Sequence, residues 1–122
     1  MDAEQIRDWI AAGHEIGAHT LTHPRLTKLS ESQAREEITA SKRKLEDLFG
    51  RPIRHFCYPY GDQNDRIVDL VHEAGYATAC LVSGGLVVPG ADPLRLNRIM
   101  ARYASRSPKS LLRQLKARWN WA

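Results

Sequence analysis

Three observations predict an α/β fold built from parallel βα units. Helix-period and strand-like segments alternate along the chain, in the order helix, strand, helix, strand, helix, strand, loop, strand, helix. Capping residues and glycine stops fall at the junctions between them. The length of 122 residues, 43% of them hydrophobic, suits a single domain over residues 1–122. Four strands are too few to close a barrel of about eight, which takes about 250 residues, so the sheet stays open or something else completes it.

Asp2 is placed to cap a first helix, with Ile6, Trp9 and Ile10 on one face and Gly13 as its stop. Residues 15–19 read as a short strand, and Pro24 opens a polar loop. The run Ser30-Glu31-Ser32-Gln33 is a capping-box pattern. It opens a long helix in which Ala34, Ile38, Leu45, Leu48 and Phe49 recur at three- to four-residue steps before Gly50 and Pro52 end it. Residues 53–58 form the next strand and residues 59–62 a loop. Asn64 caps a helix carrying Ile67, Val68, Val71 and Ala74, stopped by Gly75. Residues 76–82 are a third strand, and a Gly/Pro-rich connection leads to a last one at 96–100. Ser107-Pro108 is a cap-plus-N1 pair opening a basic amphipathic helix over 107–122, with Leu111, Leu112, Leu115 and Trp119 on its apolar face.

The net charge of +4 conceals an asymmetry: residues 1–92 hold 10 basic and 14 acidic side chains, and residues 93–122 hold eight basic and no acidic ones. The basic end reads as a solvated cationic face. A nucleic-acid contact is not expected, because a single aromatic, Tyr103, lies among the charges before Trp119 and the reading would rest on charge alone. The uncharged stretch 74–91 is broken by Gly75, Gly84, Gly85, Pro89 and Gly90, which excludes a membrane-spanning helix. Residues 1–4 show neither a basic n-region nor an apolar h-region, so no signal peptide is visible. Cys57 and Cys80 make no CxxC motif and read as two free, mostly buried thiols.

His19-Thr20-Leu21-Thr22-His23 puts two imidazoles four residues apart where the chain leaves a strand. Gly17 before and Pro24 after argue for a strand-to-loop turn, which can converge both rings. Neutral imidazole is a common transition-metal ligand, but a catalytic zinc takes three protein ligands, so the pair is one short. On spacing alone, two unrelated loop histidines remain the alternative. Tyr58-Pro59-Tyr60-Gly61 sets aromatic rings on a stiff turn, suited to stacking on a sugar face and to aiming backbone N–H groups into a cleft. An ordinary aromatic turn is the alternative there.

Taken together, the segment from Gly13 through His19 and His23 to Pro24, the run Phe56-Cys57-Tyr58-Pro59-Tyr60-Gly61, and Arg95-Leu96-Asn97-Arg98-Ile99 closely resemble the polysaccharide deacetylase family. The resemblance implies a distorted (β/α) barrel of which this chain forms part. It implies that His19 and His23 are ligands of a divalent metal, most often zinc. It implies a catalytic role for Tyr60, whose backbone N–H would face the oxyanion, with Tyr58, Pro59 and Asp62 on the substrate rim. The reaction implied is metal-assisted removal of N-acetyl groups from an amino-sugar polymer, whether chitin, peptidoglycan or an exopolysaccharide. Family members commonly act outside the cytoplasm.

The chain departs from the family pattern in ways that shape these expectations. The family's first motif supplies a general base and the third metal ligand from an Asp-Asp pair, and this sequence has no such pair. No histidine follows His72 to act as general acid, and position 57 is Cys where many members have Arg. The chain therefore reads as the C-terminal portion of the family domain, expected to form a homo-oligomer or to need a missing N-terminal partner segment. The alternative function is a non-catalytic remnant that binds glycan or metal. Asp62 is a candidate substitute metal ligand, although capping the following helix is its commoner role. Glu15 reads as structural, and His14, His55 and His72 as surface or packing residues.

Overall fold

The computed structural model describes residues 2–99; the helix expected over 107–122 and the final residue of the last strand lie outside the described residues. Three helices, α1 (Ala3–Ala11), α2 (Glu31–Phe49) and α3 (Asp65–Glu73), alternate with four strands, β1 (Gly17–Ala18), β2 (His55–Cys57), β3 (Thr78–Gly84) and β4 (Leu96–Arg98). The strands form one sheet in the order β1-β2-β3-β4, and all three pairings are parallel. The α/β class and the element order are as the sequence predicts. No described helix is long and apolar enough to cross a membrane.

The helix boundaries follow from local chemistry. Asp2 and Ser30 each accept a hydrogen bond from the third helical residue, while Gln5 and Gln33 reach back to the cap, completing two capping boxes. Asn64 accepts from the Ile67 N–H in the same way. Gly50 ends α2 in the left-handed conformation, φ 65°.

The core lies between the sheet and the inner faces of α2 and α3. Ala34 and Ile38 from α2, Ile67, Leu70 and Val71 from α3, and Ala18, Phe56, Tyr58 and Ala79 from the sheet side are all buried. Phe56 meets Tyr58 edge-on at 5.3 Å between ring centroids and lies tilted against Tyr76 at 5.1 Å. β1, β2 and β4 prove shorter than the alternation predicts, because the chain turns out of the ladder to form loops as soon as the core-facing residues are seated, whereas β3 keeps its seven residues and starts two later. Two short 3-10 turns, Leu26–Lys28 and Pro59–Gly61, occupy those loops.

Two buried tyrosines each donate a hydrogen bond to a backbone carbonyl, Tyr58 to Leu94 at 2.9 Å and Tyr76 to Ile38 at 3.1 Å. Burial raises both phenols; that of Tyr76 is pushed up to about 12, against the opposing hydrogen bond of Ser41 and with the Glu46 charge adding to the rise. An unfolded tyrosine ionises near pH 10, so between pH 10 and about 12 the unfolded chain releases a proton that the folded one retains. Stability is therefore whole below pH 10 and falls as pH rises towards 12. Urea midpoints measured across this window should drop steeply, and Tyr76→Phe should flatten the slope. A slope unchanged in that variant would contradict the assignment.

Candidate functional site

In a parallel α/β sheet the loops after the strands gather at one edge, and two such loops here carry the site. Register places them. Gly17 pairs with His55 and Ala18 with Phe56, so the residues that follow, His19 and Cys57, leave the ladder side by side. His19 Nδ1 lies 2.7 Å from the Cys57 carbonyl oxygen. A carbonyl only accepts, so Nδ1 carries the proton and Nε2 keeps its lone pair. Gly17 makes this approach possible: a Cβ there would stand 3.0 Å from the His55 carbonyl oxygen.

The turn after His19 is conformationally costly. Thr20 and His23 both adopt positive φ, 64° and 59°, which non-glycine residues rarely do. Thr20 stabilises it from within, its hydroxyl donating to the His19 carbonyl at 2.6 Å and accepting from the His23 N–H at 3.1 Å. The result brings the two imidazoles together, with ring centroids 4.8 Å apart and edge-on. The turn therefore converges the two rings.

The second loop contributes Tyr60. It is the third non-glycine residue with positive φ, at 60°, so among the described residues every one of that kind sits in these two loops. Strain of this sort persists where surrounding structure over-determines it, commonly at functional sites. The N–H groups of Gly61 and Asp62 are bonded to the carbonyls of Tyr58 and Pro59, whereas the Tyr60 N–H has no acceptor among the described residues. The Tyr60 ring is 51% exposed, packs on His23 at 4.6 Å, and carries the Arg25 guanidinium 4.5 Å above its centroid.

Three expectations are corrected. Tyr58 is fully buried with its hydroxyl committed to Leu94, and Pro59 is buried with it, so neither side chain forms a sugar-facing rim. The reason is the strand period of two: Tyr58 continues the inward face set by Phe56. Asp62 does not cap α3, a role taken by Asn64; both its oxygens accept from Thr27, whose N–H and hydroxyl each lie 2.9 Å away. It ties the second loop to the 3-10 turn that follows the histidines. Among the described residues no group of three or more His, Cys, Asp or Glu side chains converges to hold a metal.

Sequence reasoning missed four contributors: the Cys57 carbonyl, Thr20, Arg25 and Glu37. The Glu37 carboxylate, from α2, accepts from the Leu21 N–H at 2.8 Å and from the Thr22 N–H and hydroxyl at 3.0 and 2.6 Å. Burial alone would raise its carboxyl, but the Thr22 and Leu21 hydrogen bonds outweigh it and hold the group below the usual range. A glutamate one step from the buried Ile38 gives no sequence signal that separates it from a solvated helix residue.

The remaining polar groups serve the fold. At the opposite end of the strands His55 bridges Glu15 and Thr78, which keeps both expected structural roles. His14 stacks on Trp9 at the surface. Cys57 and Cys80 are free, half-buried register neighbours. The Cys57 thiol is raised by burial and by Cys80 against the pull of Arg98, whose guanidinium donates to the sulfur at 3.1 Å.

Comparisons with known proteins fit this arrangement. A chitooligosaccharide deacetylase from Azorhizobium caulinodans is 36% identical over 64 residues, 52% of this chain and 30% of that protein. The Streptococcus pyogenes deacetylase PplD, solved in complex with acetate, shares the fold with a TM-score of 0.83 at 24% identity, over 95% of this chain and 51% of that one. A CE4 family pseudoenzyme from Bacillus anthracis superimposes with a TM-score of 0.59 at 25% identity, over 63% of this chain and 27% of its own. The chain thus spans about half or less of each of these relatives. The family model described as polysaccharide deacetylase matches residues 1–79, the stretch that holds both strained loops and the strands that launch them, and this chain belongs to that family.

Proposed function

We propose that the chain supplies one side of a hydrolytic site that removes N-acetyl groups from an amino-sugar polymer, with His19 and His23 as two ligands of a zinc ion. The observation that carries this reading is the strained turn that sets the two imidazoles edge-on to one another while the Cys57 carbonyl fixes the His19 tautomer. Backbone orientation of one ring nitrogen, leaving the other to coordinate, is the usual outer-shell arrangement of metal-binding histidines. The nitrogen donors therefore fit zinc, and further ligands would come from water or from a carboxylate of a second copy or an added segment. A zinc ion held there supplies Lewis acidity for the amide carbonyl and for the attacking water.

The chain's own groups have separable tasks. The Tyr60 N–H, held in a left-handed conformation beside His23, donates to the oxyanion; one such donor is worth about 2.7–4 kcal/mol in a transition state. The exposed Tyr60 ring offers an apolar face to a sugar, and Arg25 holds that ring in place. The outer edge of β1 has no strand partner among the described residues, and we take it as the surface on which a second copy or a further segment completes the sheet. Light scattering that finds a monodisperse monomer would remove the second-copy form of this assembly.

A second reading, a non-catalytic glycan- or metal-binding protein, is favoured by the absence of an Asp-Asp pair in the sequence and by the likeness to a pseudoenzyme. Acetate release from acetylated chito-oligosaccharides separates the two. Zinc-dependent release by the chain together with the copy or segment that completes its sheet, lost in His19→Ala, is the expected result for the hydrolase. Oligosaccharide binding without release would favour the second reading.

A further inference from the structure

We propose that Glu37 is a positioning residue that holds the His19–His23 turn in its ligand-presenting geometry; this rests on the reading of the two histidines as metal ligands. All three of its hydrogen bonds come from Leu21 and Thr22, two of the three residues between the imidazoles. The turn has positive φ at Thr20 and at His23, a conformation that L side chains rarely adopt and that does not hold itself. The Thr20 hydroxyl secures one end of it, at the His23 N–H. Without an acceptor from outside, the N–H groups of Leu21 and Thr22 would be free to turn towards solvent and carry His23 away from His19 and Tyr60.

Glu37 is suited to the task by its position. Ala34, Ile38 and Ser41 form the buried face of α2, and Glu37 stands at the margin of that face, so the helix itself is rigidly docked where the carboxylate leaves it. The neighbouring Glu36 is exposed and pairs with Arg43 at 3.6 Å, a surface contact with no bearing on the turn. Among the described residues Glu37 has no cationic partner within salt-bridge distance, so its charge is balanced by hydrogen bonds from the turn alone.

Glu37→Gln keeps the acceptor oxygen for the two N–H groups and presents an amide to the Thr22 hydroxyl, which can itself accept. Glu37→Ala loses all three bonds. In NMR of the metal-free chain, contacts among the His19, His23 and Tyr60 rings should weaken in Glu37→Ala, persist in Glu37→Gln, and be untouched in Glu36→Ala. Cobalt(II) affinity, followed by visible absorption, should fall about tenfold or more in Glu37→Ala and recover in Glu37→Gln, on the scale set by outer-shell partners of metal-binding histidines. Ring contacts and affinity unchanged in Glu37→Ala would overturn the proposal. Should that variant fail to fold, Thr22→Val, which deletes only the hydroxyl donor, carries the test, and wild-type ring contacts there would overturn it. A wild-type chain that binds no cobalt while its ring contacts still depend on Glu37 would sink the metal reading and leave the positioning role standing.

Discussion

Stoichiometric zinc binding by the purified chain, lost in both His19→Ala and His23→Ala, is the result expected if the strained turn is a ligand pair. The size of the effect follows from what each variant removes. Altering a residue that merely orients a metal-binding histidine typically costs 10–100-fold in affinity, so deleting a ligand itself should cost roughly a hundredfold or more. Each substitution also leaves the other ring alone, and a single imidazole holds zinc only weakly. His72, on α3 and away from both loops, is the control: His72→Ala should bind as the wild type does. Calorimetry at neutral pH reads all three. Affinity that survives in either histidine variant would mean that zinc sits elsewhere, and the hydrolytic reading would lose its main support.

Phe56→Ala should cost about 3–5 kcal/mol of folding stability, the largest loss expected from one substitution outside the site. Phe56 is 2% exposed, its ring wedged between Tyr58 and Tyr76, and it lies on β2, which launches the second site loop and pairs with the strand that launches the first. Removing it opens a cavity that the two hydrogen-bonded tyrosines cannot collapse to fill. Domains of this kind have only about 5–15 kcal/mol in total, so the variant would be marginal or unfolded. Trp9, 48% exposed and stacked on His14, makes the contrast: Trp9→Ala should cost under about 1 kcal/mol. Urea unfolding followed by circular dichroism measures both. A Phe56→Ala loss near that of Trp9→Ala would mean that the aromatic cluster is not the centre of the core.

The frame of the molecule was legible because it is written in local chemistry. Caps at Asp2, Ser30 and Asn64 and the stop at Gly50 need only neighbours a few residues away, and the structure places all four where the sequence suggests. The two 3-10 turns were not legible, since three residues are too short to show a period. Tyr58 was misread because its motif was weighed without its strand parity; counting two residues from Phe56 would have turned it inward. Glu37 and the Cys57 carbonyl had no signal at all. Both act across the fold, 15 to 38 residues from the groups they hold, and only tertiary contact gives them meaning.

The strand order β1-β2-β3-β4 bears on how the chain is assembled as it is synthesised. Each strand pairs with the one made just before it, so no segment must wait to be threaded between strands already joined. A nascent chain can add one βα unit at a time, and His19 finds its carbonyl anchor as soon as β2 leaves the ribosome. The same sequential order confines change at the margins to the outer strands. A unit gained or lost beyond β1 or β4 leaves the β1–β2 register untouched, whereas one residue inserted between His23 and Glu37 would slip the helix against the turn it holds.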